Sequence, residues 1–446
     1  VLDFPANPTS GDLYGSWIWD GEKWISTNAP AAVVASDTPP ANPKPGDLWF
    51  DTVGLALYVR YDDGTSEQWV VTINQPTLPD AKSDGSAYGR RDGAWVNVTN
   101  IARNCVGNPD IAVNQWTTGQ LTAQGYIVDR WWFGGTPANA GFARQAGADE
   151  IDIRDTGCLH SLQWSTTTAT AVGATDTLEF FTGIEGCDFN VANFGTASAQ
   201  PVTLVFTVYT TLAGTYAGAL QRGAQDRSYV FTFDLVAGAW QKIRITIPGD
   251  TVGAWAVADN ALAACLVFSL GTGSTYVTAP DVWVDGYFQS APGALNPVEM
   301  ANANIWFTRV GLVVGEAAVN AEPEIKSFAD NLADCQRYFR TSYTYGVAPG
   351  TASQDASALQ VYTGVSANNN WCGLTATFPS MRIRPTFTLY DPHTGAVGSC
   401  WEQNTGVSLQ AGVWSASTTS VSMGVQGVAV AAGDMIKFHY AAFADF

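Results

Sequence analysis

An all-β chain is predicted by three features: sparse charge among many turn formers and aromatics, period-two alternation in the middle of the chain, and a hairpin signature repeated near its start. Charged residues make up 14% of the 446, against 44 Gly and 17 Trp, a composition of strands and turns rather than of helical bundles or disordered tails. That length exceeds what one compact core accommodates. The expected architecture is small Trp-rich β-hairpin repeats over 1–100, a jelly-roll-like β-sandwich with one closing helix over 101–340, and a smaller C-terminal β-sandwich over 341–446.

The repeats come first. Pro8–Tyr14 (PTSGDLY) and Pro43–Trp49 (PKPGDLW) share the pattern P-x-x-G-D-L-aromatic. Each is followed by an aromatic strand, an Asp-Gly turn (Asp20-Gly21, Asp63-Gly64) and a closing Trp24 or Trp69; Tyr88–Trp95 is a shortened third copy. Asp-Gly between β-formers favours a hairpin because Gly accepts positive φ without a Cβ clash. The stretches 28–42 and 75–83 read as linkers. A lone hairpin buries too little surface to stand by itself, so the indoles are expected to pack units against one another or against neighbouring chains rather than to form a ligand platform.

The middle region carries the sandwich signal. Val202–Tyr209 is a strand, Tyr229, Phe231, Phe233 and Leu235 alternate along another, and beyond a turn at 236–239 Ile243, Ile245 and Ile247 alternate with Lys242, Arg244 and Thr246. That period marks one buried and one solvated face. The helix is expected over 322–338, where Ile325, Phe328, Leu332 and Cys335 recur at helical spacing, with Pro323 between two glutamates at its start and Arg337 and Arg340 at its end. In the last region, strands are read at 382–390, 407–416 and 434–442.

Charge and cysteines then restrict function. A net charge of −19 repels nucleic-acid phosphates and anionic membranes, so neither is an expected partner, and no apolar run is long enough to span a bilayer. The chain opens on Val1, so an initiator Met is expected outside this numbering, with an upstream segment left open. Seven scattered cysteines without a CxxC pair argue against a disulfide framework or zinc site and for buried thiols, with a Cys372–Cys400 bridge as the open alternative. His160, His393 and His439 are the only histidines; none accompanies a G-x-S-x-G elbow or an HExxH helix, and His439 reads as a strand-face residue. No catalytic residue and no cofactor are expected, and the chain is read as a non-enzyme. The densest acidic set, Asp149, Glu150, Asp152 and Asp155, reads as a solvated edge, a structural Ca²⁺ being the alternative.

The repeats, together with "DGSAYGRRDGAWVNV", "RNCVGNPDIAVNQ", "DRWW", "TRVGLVVGEAAVNAEPEIKSFADNLADCQRYF" and "MRIRPTFTLY" in that order, resemble the tail fibre proteins of bacteriophages, whose members carry a carbohydrate-binding-module-like sandwich followed by a small terminal β domain. "DNLADCQRYF" with "MRIRPTFT" is the most specific part. The chain departs where it reads "VGLVVGEAAVNAEPE" in place of the family's "VQLE.G..ATPFE", and any fold-assisting segment is expected elsewhere than in the residues up to Phe446. The resemblance implies an elongated homotrimeric virion fibre. Its N-terminal end would join other tail or baseplate proteins and its C-terminal end would meet a host surface glycan or receptor. The alternatives are a head or collar decoration protein and a polysaccharide-degrading tailspike.

Sugars stack their CH faces on exposed aromatics and hydrogen-bond through their hydroxyls. "SANNNWCG" and "GSCWEQNTG" therefore give the candidate glycan platform: Trp371 and Trp401, with Asn368, Asn369, Asn370 and Gln403 as polar partners. An acidic fibre nearing an anionic envelope meets repulsion screened over roughly 8–10 Å at physiological salt, so divalent cations or moderate salt are expected to assist attachment.

Overall fold

The computed structural model describes residues 4–27, 33–72, 88–91, 94–97, 104–117, 119–148, 150–256, 259–315, 324–363 and 367–446. The chain divides into two compact units, Val1–Thr99 and Asn100–Phe446. It is mostly β throughout, with two short helices, as the composition predicts.

In the first unit both copies of the P-x-x-G-D motif fold into the same turn. Asp12 Oδ2 accepts from the Thr9 amide at 2.7 Å, and Gly11 N donates to Trp19 O at 2.8 Å. Asp47 Oδ2 accepts from Lys44 N at 2.7 Å, and Gly46 N donates to Arg60 O at 2.8 Å. Gly11 and Gly46 have φ of 99° and 94°, conformations that a Cβ would strain. The Asp-Gly turns also match: the Asp20 and Asp63 carboxylates each take two amides of their own turn.

The units hold more strands than simple hairpins. Leu13–Tyr14, Trp17–Trp19 and Trp24–Ser26 form one sheet; Val33–Ser36, Leu48–Asp51, Ala56–Asp62 and Glu67–Val71 form another; Tyr88–Arg91 pairs with Ala94–Asn97. Val33–Ser36, inside the expected linker, runs parallel to Leu48–Asp51. The turn at Asp92-Gly93 and the linker 75–83 lie outside the described residues. Each described indole packs inside its own sheet: Phe4 stacks on Trp24 at 5.0 Å, Trp19 meets Trp24 at 5.5 Å, and Trp49 lies between Tyr58 and Trp69 at 5.0 and 5.6 Å. These contacts are internal to each sheet rather than between units.

The second unit contains a jelly-roll-like sandwich. Its seven-stranded sheet runs Gly125–Val128, Trp131–Gly135, Thr177–Glu185, Leu262–Thr272, Gly214–Arg222, Arg227–Leu235, Trp283–Asp285. Its five-stranded sheet runs Gly141–Gly147, His160–Thr166, Asn304–Val314, Val202–Thr210, Gln241–Ile247. All pairings in both are antiparallel. The period-two residues meet between the sheets, where Phe268 lies 5.0 Å from Phe206 and 4.5 Å from Phe307. The strands on either side of the 236–239 turn belong to different sheets, so that turn carries the chain across the core.

A second core, built around Cys372, Cys400, Met423, Ile436 and Phe438, lies between a six-stranded sheet centred on Met435–Phe443 and the three-stranded sheet Ala367–Thr377, Ser420–Val430, Gly412–Ala416. The single strand expected over 407–416 is two strands, Val407–Gln410 and Gly412–Ala416, in different sheets. Ala411 is the corner, held by its amide bond to Gly398 O at 2.9 Å. All seven thiols are free and six are buried, so the Cys372–Cys400 bridge does not form.

The two sandwiches meet at a polar seam. Buried Arg130 pairs with Asp445, donates to Gly183 O at 2.5 Å, and holds its guanidinium 3.5 Å from the Tyr338 ring centroid. Arg382 donates to the carbonyls of Ala444, Asp445 and Asn260 at 2.7, 2.9 and 2.6 Å.

The helix is shorter than expected, Phe328–Cys335, and begins at Ser327, whose hydroxyl accepts from the Asp330 amide; residues 316–323 lie outside the described set. Its buried side chains are Asn331 and Cys335, while Phe328 stays 48% exposed. Of the expected apolar stripe Cys335 is buried and Phe328 is turned out, since the inward position goes to Asn331, whose Nδ2 reaches Asp110 Oδ1 at 2.9 Å and Asn108 Oδ1 at 3.3 Å; a buried amide must find partners.

Candidate functional site

Strand alternation decides what the five-stranded sheet shows on its outer face. Ile305 and Phe307 enter the core, so Trp306 points outward; Phe206 and Val208 do the same for Thr207 and Tyr209. Register then aligns Arg144, Gln163, Trp306 and Tyr209 in one row across four strands. Trp240, at the mouth of the next strand, extends it: Tyr209 lies 5.4 Å from Trp306 and 5.6 Å from Trp240.

The acidic loop after Gly147 folds along this face. Glu150 takes both terminal nitrogens of Arg144, Trp240 Nε1 donates to Asp152 O at 2.6 Å, and Ile153 is fully buried. Glu150, Asp152 and Asp155 therefore do not gather around a common point; Asp149 lies outside the described residues. Among the described residues the one set of donors close enough for a metal is Glu185, Cys187 and Asp188. Glu185 is already committed there, to the Arg337 guanidinium and to Tyr338 Oη at 2.6 Å, so the set reads as part of the seam.

A β-bulge completes the face. Val205 pairs with Gly311 and Thr207 with Thr308, which leaves Arg309 and Val310 opposite Phe206. Arg309 adopts φ of 51°, and its side chain leaves the sheet to donate to Thr156 O at 2.8 Å. Bulges re-aim side chains in this way. Gly157 makes room for it: a Cβ there would lie 2.7 Å from Arg309 Nη1.

The result is a groove of about 590 Å³ lined by Asp155, Thr156, Gly157, Thr207, Trp240, Lys242 and Arg309. Its size falls in the range of small-molecule sites. It combines an indole, two cations, a carboxylate and hydroxyl or carbonyl oxygens, the mixture that holds a ring bearing both CH faces and hydroxyls. On the same face Trp306 Nε1 is buried without a partner among the described residues.

The sequence-derived platform is distributed differently. Asn368, Asn369, Asn370 and Trp371 lie not in a loop but in the strand Ala367–Thr377 of the three-stranded sheet; their side chains lie outside those described. Trp401 belongs to Ser399–Glu402 in the six-stranded sheet, and its indole stacks on His393 at 4.1 Å and 16°. One indole face is thus already covered. Gln403 is exposed, and its amide donates to Met435 O at 2.9 Å. The next turn closes on itself, since buried Glu402 accepts from the amides of Asn404 and Thr405 at 2.7 and 2.6 Å.

The histidines are structural or peripheral to the groove. His439 is buried, stacked on Tyr343 at 3.8 Å, with one ring nitrogen 3.0 Å from Ser342 Oγ and the other 3.0 Å from Ser353 O. Burial lowers its pKa. Sequence reasoning missed Tyr209, Trp240 and Trp306. The signal was present: Trp306 and Tyr209 carry large aromatics at the parity that alternation assigns to solvent.

No protein-family model matches the chain, and no curated protein matches it. Several solved structures are similar to parts of it. The enzymatically active domain of tailspike protein 4 from bacteriophage CBA120 is 13% identical over 47% of this chain, which spans only 21% of that chain, at a TM-score of 0.28. A putative sugar-binding protein from Bacteroides thetaiotaomicron is 11% identical over 48% of this chain and 100% of its own, also at 0.28. A family 11 carbohydrate-binding module of a Clostridium thermocellum cellulosomal cellulase is 8% identical over 46% of this chain and 99% of its own, at 0.24. Each is a distant likeness and assigns no family.

Proposed function

We propose that this chain is a glycan-binding β-sandwich protein that holds saccharide in the groove beside Trp240, and that it serves as a virion fibre attaching to a host surface. The observation that carries the binding reading is the Trp240 indole in the groove beside Lys242, Arg309 and Asp155, braced from behind by Tyr209, which in turn packs on the buried Trp306. A sugar ring stacks on indole while charged and hydroxyl groups orient it. The distant structural likenesses do not enter this reading.

The fibre role rests on the ordered tail-fibre motifs and the repeated N-terminal turns. It carries with it a homotrimer, attachment to other virion proteins through the N-terminal region, and a place on the tail. Binding without cleavage is part of the proposal. Hydrolysis of a glycosidic bond ordinarily uses two carboxylates flanking the bond, and among the described residues lining the groove the one carboxylate is Asp155.

The test is direct titration of host surface polysaccharide into the purified chain and its Trp240→Ala variant. Trp240 is half-buried outside the core, so the variant should keep its fold. Loss of the indole should weaken binding by about 2 kcal/mol, roughly thirtyfold. Equal affinities would rule out the groove, and reducing sugar released by the wild-type chain would rule out binding without cleavage.

A further inference from the structure

A second cavity, of about 540 Å³, opens where the N-terminal segment of the sandwich meets the helix Phe328–Cys335 and the following loop. Its aromatic wall is Phe328 and Tyr345, 48% and 44% exposed, crossing edge to face at 5.2 Å and 87°. Its polar wall carries Asp110 and His160. The floor is rigid: Asn114 Nδ2 donates to Gln145 Oε1 at 3.1 Å, Gln145 Nε2 to Ile111 O at 2.6 Å, and Tyr345 Oη accepts from Asn114 N at 2.9 Å. Thr117 Oγ1 is buried in the same wall without a partner among the described residues.

The charge of this cavity is one-sided. Among the described residues no Lys or Arg lines it, and Asp110 is its one carboxylate. Asp110 is half-buried, with Asn331 Nδ2 as a neutral donor. Burial raises its pKa, against the opposing pull of backbone amides, His160 and Asn331. The helix end offers no competing anion seat, because the Ser327 hydroxyl that caps it is bonded to the Asp330 carboxylate at 2.6 Å.

We propose that this cavity binds an ammonium-bearing saccharide, with the ammonium between the Asp110 carboxylate and the π faces of Phe328 and Tyr345. A cation held over aromatic faces and beside a partly desolvated carboxylate gains from both fields. The cavity's hydrogen-bonding groups, Thr117 Oγ1 among them, suit the ring hydroxyls. The ligand's being a sugar rests on the glycan-binding reading above; its being a cation rests on this cavity alone.

The experiment is a saturation-transfer NMR titration of the full chain with glucosamine, N-acetylglucosamine and glucose, at a pH where the free amine is protonated. Glucosamine should bind at least about tenfold more tightly than its neutral N-acetyl counterpart, as expected for a cation over aromatics beside a carboxylate. Asp110→Asn should erase that preference, and Phe328→Ala, at an exposed position, should weaken glucosamine binding without unfolding the chain. Trp240→Ala should leave the preference intact, which separates this site from the groove. Equal binding of the charged and neutral sugars, binding of neither, or a preference that survives both Asp110→Asn and Phe328→Ala would overturn the proposal. Should Asp110→Asn fail to fold, Phe328→Ala decides alone.

Discussion

The groove beside Trp240 and the cavity beneath Tyr345 share Gly157 as a wall, yet they differ in charge and in how they are built. Lys242 and Arg309 give the groove two cations against Asp155, while the cavity has Asp110 and no cationic side chain among its described lining residues. The groove is assembled within the first sandwich, from residues 155–309. The cavity needs Phe328, Tyr345 and Gly346, which follow the long strand Asn304–Val314 and lead into the second sandwich. Binding surfaces raised from strands inherit the rigidity of the sheet, whereas the cavity depends on how the two sandwiches are held together.

The seam offers the strongest way to break that comparison. Arg130→Ala leaves Asp445 buried without its partner and empties the space over Tyr338. Removing one member of a buried ion pair costs about 3–5 kcal/mol. Urea unfolding should register that loss, and in native buffer glucosamine binding should fall further than polysaccharide binding. If both sites weakened equally, the seam would not be what distinguishes them.

pH sharpens the contrast by a smaller amount. The charged group acting on the His160 ring is Asp110; Cys158 lines the same cavity, and Arg309 lies beyond Gly157. Burial holds the His160 pKa below its usual 6.5 and the Asp110 pKa above its usual 3.8. On acidification His160 gains its proton at a lower pH than a free imidazole would, and Asp110 takes one up sooner than an ordinary aspartate would. The first change adds positive charge to the cavity and the second removes negative charge, so glucosamine affinity should decline as pH falls between 6.5 and 3.8. An affinity that is flat or rises on acidification would mean that neither group faces the bound amine.

The least effect is expected at the loop over the groove. Arg144 and Glu150 are partly exposed, and such ion pairs contribute roughly 0–1 kcal/mol. Glu150→Gln should change polysaccharide affinity by no more than about fivefold and leave glucosamine binding unaltered, both measurable in the same titrations.

The contrast also explains what could be read from the sequence. The hairpin turns were legible because Asp20-Gly21, Asp63-Gly64 and the P-x-x-G-D copies act through neighbours within a few residues. The sandwich strands were legible because alternation is local too. The sheet switch at Ala411 was not, since residues 407–416 keep one continuous β-forming composition through the corner. The groove was half legible: Tyr209 and Trp306, which back Trp240, stood at the parity of the outer face, but the bulge that turns Arg309 outward has no signature in "NIWFTRVGLVV". The cavity was invisible, because Asp110, His160, Phe328 and Tyr345 are brought together only by the fold. The helix showed the opposite failure: periodicity put Phe328 inside, and the hydrogen-bonding demand of Asn331 turned it out.

The paired turns near the start of the chain have a consequence for inheritance. In the copies at Gly11 and Gly46 the motif's turn is closed by hydrogen bonds to residues of its own copy, Thr9 and Trp19 in one, Lys44 and Arg60 in the other. A duplication or deletion of one copy therefore leaves no orphaned donor or acceptor in the other's turn. Unequal recombination between such copies would alter the length of this region in a single genetic event without touching the residues of the groove or the cavity.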